Sequence, residues 1–359
     1  MKDKIEEFAV AGTAAVADIT PKVLSTAIEE IARGQRVWAQ FYKVNTDLMS
    51  NGGTEVVFPL KGAGVTASWG LTQGQGLTAS GMTFSSKTIA VTKGGVGLGL
   101  YGEAIRQSMR DVITDNINEA GQIWAETMDI AAFEAMFPTA TATACNGGTF
   151  VAGSAPIMGV KSVNPSTCTG FTIVNLGTGS SIAYASSAVG TVTYWYCPTT
   201  AGYASVGTGA SSLILRDVNT LKNAIVGYKF KPKILIGHPE RLTDVIFDTT
   251  AKFLEKSAYE GVGPVYTGEI GMVLGLKVIS CVYAPTIALI TIDDARLGYQ
   301  VVRKELDMQR DQYTGMSLDA LYFWGFSERG FGVVNARSYG AVAVKGTYAL
   351  SAGLGSGYP

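Results

Sequence analysis

Apolar positions along this chain follow two periods, and the switches between them divide it. After Thr20-Pro21, a capping residue followed by the residue best tolerated at a first helical position, Leu24, Ala27, Ile28 and Ile31 recur at steps of three and four. They predict a helix of about four turns. Asn51-Gly52-Gly53 reads as a turn, and two runs of β-forming composition follow, Thr54–Leu60 and Lys87–Thr92. Between them, residues 61–86 are rich in Gly, Ser and Thr and hold no acidic group, which suits a long two-stranded loop with little core of its own. From 103 to 137 the helical period returns: Ile105, Met109, Val112, Ile113, Ile117, Ala120, Trp124, Met128, Ala131 and Ala135 fall at steps of three and four, with no proline before Pro138. Such a helix would be about 50 Å long.

That period stops at Pro138. The 75 residues from Pro138 to Ser212 carry one charge, Lys161, and are dominated by Gly, Ala, Ser, Thr and Val. Runs such as Phe171–Val174 and Thr191–Tyr196 predict short strands, and their aromatic and β-branched residues favour a β-rich insertion over disorder. A surface so poor in charge also suits contact with another copy of the chain. Beyond Ser212 helices and strands alternate. A helix runs from Asp217 through Val218, Leu221 and Ile225, then comes the strand Lys233–Ile236 and a helix opened by Pro239 that carries Leu242, Val245, Ile246, Phe253 and Leu254. A loop over 257–268, the run Gly271–Ser280 and an apolar strand Thr286–Ile292 follow, and Gly330–Val344 reads as a final strand before a Gly/Ser tail.

Charge and composition narrow the function. Lys+Arg number 28 against 29 Asp+Glu, and no basic tail is visible, which argues against a protein that condenses nucleic acid by releasing counterions. Charged residues make up 16% of the chain where about 25% is usual. The deficit is local, because outside 138–212 the remaining 284 residues hold 56 charges, about 20%. The longest apolar stretch, Cys281–Ile292, contains Pro285 and falls short of the roughly 20 residues that span a bilayer, so no membrane contact is expected. Ala15-Val16-Ala17 has the form of a signal-peptidase site, but Glu6 and Glu7 stand where positive charge belongs, and secretion is not expected.

The residues that carry chemistry are few. The one histidine, His238, sits before Pro239 and reads as a turn residue at a strand end. Cys145, Cys168, Cys197 and Cys281 lack the C-x-x-C spacing of a zinc site, and a disulfide among the first three is the alternative reading. Asp293-Asp294 could serve as a paired carboxylate, but adjacent strand residues point to opposite faces, so a turn is the better reading. Gly97, Gly99 and Gly102 match G-x-G-x-x-G. A dinucleotide-binding unit would need a modest helix and a second parallel strand within about 30 residues. A single long helix is expected instead, so these glycines read as a hinge or a close-packed strand. No catalytic residue, cofactor or metal is implied.

The whole order resembles the major capsid protein of tailed bacteriophages and related viruses, the Hong Kong-97 fold. The most specific local piece is Lys233-Ile-Leu-Ile-Gly-His-Pro239, a helix, Gly275-Leu-Lys-Val-Ile-Ser280, Ala284-Pro285 and Ala288–Asp293. The resemblance implies an α+β chain with an N-terminal arm (1–53), an extended β-hairpin loop (54–92), a peripheral domain with a long spine helix (93–137), a β-rich insertion (138–212), an axial domain (213–320), and a return to the peripheral domain with a C-terminal tail (321–359). It implies pentamers and hexamers closing an icosahedral shell, inside a virion assembled in host cytoplasm. Double-stranded DNA would be packaged without sequence-specific binding, and portal, scaffolding or decoration proteins would be partners. Phe58, Lys61, Trp69, Leu71, Met82, Phe84, Lys87, Tyr259 and Tyr266 would be the intersubunit contact candidates. Lys61 or Lys87 with Asn335 could supply the Lys–Asn crosslink some members form. An encapsulin-like compartment on the same fold, a nucleotide-binding enzyme using Gly97, Gly99 and Gly102, and a secreted β-rich surface protein are the alternatives.

Overall fold

A computed structural model describes residues 21–62, 69, 81–101, 112–143, 149–151, 156–164, 171–176, 179–184, 191–210, 212–246, 271–281, 284–311 and 320–350. In chain order the elements begin with helix α1 (Pro21–Gln35), strand β1 (Lys43–Asn45), the one-turn helix α2 (Asp47–Ser50), strands β2 (Glu55–Lys61), β3 (Phe84–Ala90) and β4 (Thr92–Tyr101), and helix α3 (Val112–Met136). Seven strands follow: β5 (Thr139–Thr143), β6 (Thr149–Val151), β7 (Ile157–Asn164), β8 (Phe171–Leu176), β9 (Gly179–Tyr184), β10 (Thr191–Tyr196) and β11 (Tyr203–Ala210). Then come helix α4 (Leu215–Gly227), β12 (Ile234–Gly237), helix α5 (Pro239–Ile246), β13 (Met272–Val273), β14 (Leu276–Ser280), β15 (Ala288–Ile292), β16 (Gly298–Asp311), β17 (Ala320–Val333) and β18 (Tyr339–Leu350). Helices and strands stand where the sequence predicts them around 21–35, 54–60, 87–92, 171–176, 191–196, 217–227, 234–237 and 288–292, whereas β1, β16 and the first part of β17 fall where it predicts none. The 25 residues of α3 make a helix about 37 Å long, and its expected first turns, 103–111, lie outside the described residues.

Two compact units are drawn from this order, one from Met1–Arg36, Lys43–Met128 and Tyr299–Val334, the other from Val37–Tyr42, Asp129–Gly298 and Asn335–Pro359. In the first, β1, β16, β17 and β4 form a sheet in that order. Leu24, Ile28 and Ala32 of α1 and Ala120, Trp124 and Met128 of α3 bury against Leu98, Leu306, Met308 and Phe323 of the strands. Those helix positions are three or four apart, so the periodicity read from sequence is the buried stripe. Glu29 of α1 receives Arg329 of β17 and, at 3.3 Å, Arg36, while Arg329 Nε donates to Ser327 Oγ at 2.8 Å. On the other side of β4 the glycine alternation finds its purpose. Gly95, Gly97 and Gly99 stand in register with Phe326, Trp324 and Tyr322 of β17, and a methyl group on Gly97 would come within 2.8 Å of the Trp324 ring. Gly97 and Gly99 are mid-strand positions that make room for rings, with no turn to cradle a phosphate; Gly102 lies outside the described residues.

The second unit is organised around β18. Its sheet runs β13-β14-β12-β15-β18-β8-β9-β6, with β11 also paired to β18. Tyr339–Ala343 pairs antiparallel with β15, Gly340–Ala343 pairs parallel with Tyr203–Val206, and Gly346–Leu350 pairs with β8. The strand expected over Gly330–Val344 is therefore two strands. They are broken at Ala336–Ser338 by a 3-10 turn, in which Ser338 Oγ donates to the Asn335 carbonyl at 2.7 Å. The region 138–212 is rich in strands as its composition predicts, with β5, β10 and β7 in a small sheet of their own and β6, β8, β9 and β11 sharing the sheet of β18. Leu213, just before α4, and Val218, Leu221 and Ile225 of α4 bury against Leu235, Leu276, Val278, Leu289, Val342 and Val344.

The last turns of α3 are fixed by polar groups within this unit. Asp129 is buried and accepts three backbone N–H bonds, from Val37 (2.7 Å), Trp38 (3.1 Å) and Ala39 (2.9 Å). Tyr42 Oη donates to the Ala132 carbonyl at 2.9 Å, and Tyr339 Oη donates to the Met136 carbonyl at 2.6 Å, a helix-terminal acceptor otherwise left over where Pro138 stops the helix. Glu134 takes the Nε1–H of Trp195 at 3.2 Å and pairs with Lys161, the single charge of the 138–212 segment.

Alkali should find these groups first. Burial pushes the Cys197 thiol up to about 12, against a hydrogen bond from the Ala341 backbone that lowers it. Burial, with Cys197 and Tyr196 adding to it, holds Tyr339 far above the usual phenol range, and burial followed by the charge of Tyr339 raises Tyr42 as well. All three are acids held protonated in the fold, so their contribution is complete below the unfolded values and is lost as pH rises through the folded ones. Urea-unfolding stability should be level up to about pH 9 and fall between pH 9 and 12; an unchanged stability at pH 11 would contradict this.

Candidate functional site

β2 and β3 pair antiparallel from Glu55–Ala90 to Lys61–Phe84, which makes the predicted hairpin a ribbon standing on the first unit. Opposed residues of an antiparallel pair share a face, so the ribbon has two distinct sides. One carries Val56 with Ile89, Phe58 with Lys87 and Leu60 with Ser85. Near its base this side is tied to its own unit: Ile89 is buried with Leu48 and Val301, and Phe58 stacks on Tyr299 with ring centroids 4.4 Å apart and planes 8° from parallel. The closeness depends on β17, where a methyl group on Gly332 would come within 2.5 Å of Ile89 Cγ1 and one on Gly330 would strike the Ala90 carbonyl.

The opposite side carries Glu55 with Ala90, Val57 with Thr88, Pro59 with Ser86 and Lys61 with Phe84, and all eight residues are exposed. Val57 is 53% and Phe84 72% exposed, and beyond the paired strands Met82 is exposed and Trp69 lies fully open to solvent. A ribbon that shows Val, Pro and Phe to water on the side away from its own body has the character of an interaction surface. Its two charges, Glu55 and Lys61, stand at opposite ends of the ribbon, and the stretch between them with Val57 and Pro59 is uncharged, so the chemistry it offers is burial.

The contact candidates from sequence separate accordingly. Lys61, Trp69, Met82 and Phe84 are exposed, with Lys61 and Phe84 on the outward side. Lys87 is exposed on the inward side opposite Phe58, whose ring is used by Tyr299 of the same chain. Leu71, Tyr259 and Tyr266 lie outside the described residues. Sequence reasoning passed over Val57 and Pro59, although their alternation with Val56, Phe58 and Leu60 is the signal that finds them. Asn335 spends its amide on the Arg296 carbonyl at 2.7 Å.

The remaining chemistry-bearing residues have structural places. His238 directly follows β12, and its Nδ1 accepts the Glu240 N–H at 3.4 Å where α5 begins; burial lowers its pKa. Asp293 is a buried turn residue whose carboxylate accepts the Lys231 N–H at 2.9 Å. Cys197 is a buried thiol outside any disulfide, and Cys145 and Cys168 lie outside the described residues. Among the described residues no group of three His, Cys, Asp or Glu side chains could hold a metal, and no helix is long and apolar enough to cross a membrane.

No protein-family model and no curated protein matches the sequence. The fold does have counterparts. The capsid of cyanophage P-SCSP1u superimposes with a TM-score of 0.52 at 14% identity, over 87% of this chain and 88% of that one. The capsid of Ralstonia phage GP4 gives 0.52 at 12% identity over 87% of each chain, and the capsid asymmetric unit of cyanophage Pam1 gives 0.53 at 10% over 84% and 88%. This chain has the phage capsid fold. The likeness spans most of both chains in each case. At 10–14% identity the shared quantity is the arrangement of elements rather than any motif.

Proposed function

We propose that this chain is a major capsid protein whose copies assemble through pentamers and hexamers into an icosahedral shell around packaged double-stranded DNA. The observation that carries the reading is the ribbon 55–90, anchored to its own body on one side and showing Val57, Pro59 and Phe84 to solvent on the other. Such a ribbon gains its stability from a second copy. A contact repeated around a closing rotation builds rings, and curved packing of rings closes a shell. The fold shared with phage capsids supports the same reading. The role is structural and non-enzymatic, the place is the virion after assembly in host cytoplasm, and portal, scaffolding or decoration proteins are the expected partners.

Electron microscopy of the purified chain should show closed shells, and a stable monomer at all concentrations would sink the proposal. The double variant Val57→Ser/Phe84→Ser should leave the melting of the subunit nearly unchanged, because both side chains are exposed in it. Losing about 3 kcal/mol of apolar burial per contact should raise the concentration needed for assembly about a hundredfold. Phe58→Ser should do the reverse, lowering subunit stability through the lost stack on Tyr299. Equal assembly by the double variant would remove the ribbon from the interface. An encapsulin-like compartment would give shells that hold protein cargo in place of DNA when purified from the producing cell.

A further inference from the structure

The second unit carries a concentration of positive charge that the shell reading does not use. Past the end of α4 the chain runs Tyr228-Lys-Phe-Lys-Pro-Lys233, with Lys229, Lys231 and Lys233 exposed, Phe230 half-buried against the core and Pro232 buried. Alternate residues of extended backbone lie roughly 6.6 Å apart on one side, so Lys231 and Lys233 stand side by side. Two arginines distant in sequence join it. The Arg296 guanidinium lies 5.9 Å from the Phe230 ring centroid, and that of Arg337 lies 4.5 Å from the Tyr228 centroid.

The backbone holds these segments together. Lys231 N–H donates to Asp293 Oδ2 (2.9 Å) and Lys233 N–H to the Ile292 carbonyl (3.1 Å). Asp293 N–H donates to the Ser338 carbonyl (2.9 Å), and Asn335 Nδ2 donates to the Arg296 carbonyl (2.7 Å). Among the described residues none of the five cations has a carboxylate in ion-pair range. The adjacent acids are turned inward: Asp293 is buried on the Lys231 N–H, and Oδ1 of Asp294 is buried.

A helix C-terminus favours a cation, which accounts for Lys229 and not for Lys231, Lys233 or the arginines. Lys229 also sits at φ 64°, a left-handed conformation that glycine would adopt without cost and that costs a side-chain-bearing residue about 1 kcal/mol or more.

We propose that this strip binds the phosphate backbone of nucleic acid. Phosphates are contacted by Lys and Arg, whereas lysine is depleted from contacts between proteins, so the composition favours a polyanion over a second copy of the chain. The rings of Tyr228 and Phe230 are covered by arginines and hold those guanidiniums in place, so the contact reads backbone charge and no base sequence. The strip stands on its own geometry, and the choice of duplex DNA as its occupant rests on the shell reading.

The test titrates the full-length chain with a short mixed-sequence DNA duplex over a series of salt concentrations. Each phosphate contact contributes close to one unit to the slope of log K against log salt. The exposed-site variant Lys229→Gln/Lys231→Gln/Lys233→Gln should melt like the parent and reduce the slope by about three. Should it fail to fold, the exposed Arg296→Gln is read the same way, with a loss of about one. A parent that does not bind the duplex at low salt, or a variant slope equal to the parent's, overturns the proposal. So does a triple variant that keeps the duplex slope but loses self-association, since the strip would then be a contact between copies. Shells with an unchanged slope reject the strip alone, and a reduced slope in a chain that makes no shells rejects the shell alone.

Discussion

Replacing Asp129 with alanine is expected to cost the subunit on the order of 4 kcal/mol, because the change leaves three N–H groups of a buried segment without an acceptor. Val37, Trp38 and Ala39 all point their amides at this carboxylate, at 2.7 to 3.1 Å, and Trp38 and Ala39 are themselves buried, so water has no ready access to replace it. The Trp38 ring meets Phe133 edge-on at 5.2 Å, and Phe133 in turn meets Trp195 at 5.7 Å, so an unseated 37–39 segment would loosen packing as well. Asp129→Asn should fall between parent and alanine. One oxygen still serves Trp38 and Ala39, while the new amide group faces the Val37 N–H, donor to donor. Thermal or urea unfolding of the three proteins checks the order, and an alanine variant within about 1 kcal/mol of the parent would show that the carboxylate is dispensable.

The second large effect belongs to Gly332, whose substitution by alanine should abolish shell closure while leaving a folded subunit. The added methyl group would stand 2.5 Å from Ile89 Cγ1, a distance no packed pair tolerates, and Ile89 is the most deeply buried residue of the ribbon. Relief comes most easily by lifting β3, whose other residues are all exposed, and with it the partner strand that the Phe58 stack on Tyr299 would hold. The subunit should lose about 1–3 kcal/mol, the usual range for overpacking. Assembly should lose far more, because the outward face is displaced in every copy at once. Trimming the other partner supplies the control. Gly332→Ala/Ile89→Ala should close shells better than either single variant, a coupling expected of residues in contact. Light scattering and electron microscopy read the outcome, and normal shells from Gly332→Ala alone would break the link between ribbon anchoring and assembly.

Much of this architecture was legible in sequence because its signals are local. The stripe through Leu24, Ile28 and Ala120, Trp124, Met128 is the buried stripe of two helices, and Pro138 stops the second where the chain says it should. What could not be read depends on partners far away along the chain. Gly95, Gly97 and Gly99 are explained by Phe326, Trp324 and Tyr322, more than two hundred residues later. The strand β16 runs through Arg303-Lys-Glu305, an exposed charged stretch that interrupts the buried run Gln300–Val302 and the buried alternation Leu306, Met308. Phe58 and Val57 are neighbours of similar character, and only the register of the ribbon shows that the first faces inward and the second outward. The cationic strip is the extreme case: three lysines close in sequence gain Arg296 and Arg337 only when two distant turns fold beside them.

The place of β18 sets the order in which this protein can be finished. Residues 339–350 supply the missing neighbour for β15, β11 and β8, all of which leave the ribosome earlier. Until β18 arrives, three strands offer unpaired edges, in a molecule that the proposed shell would bring together with many copies of itself. Long-range pairings of this kind close slowly, so the nascent chain must stay soluble through an interval in which the wrong strand of a sister copy could take the vacant slot. On the shell reading, the arrival of β18 is thereby the step that separates orderly assembly from aggregation.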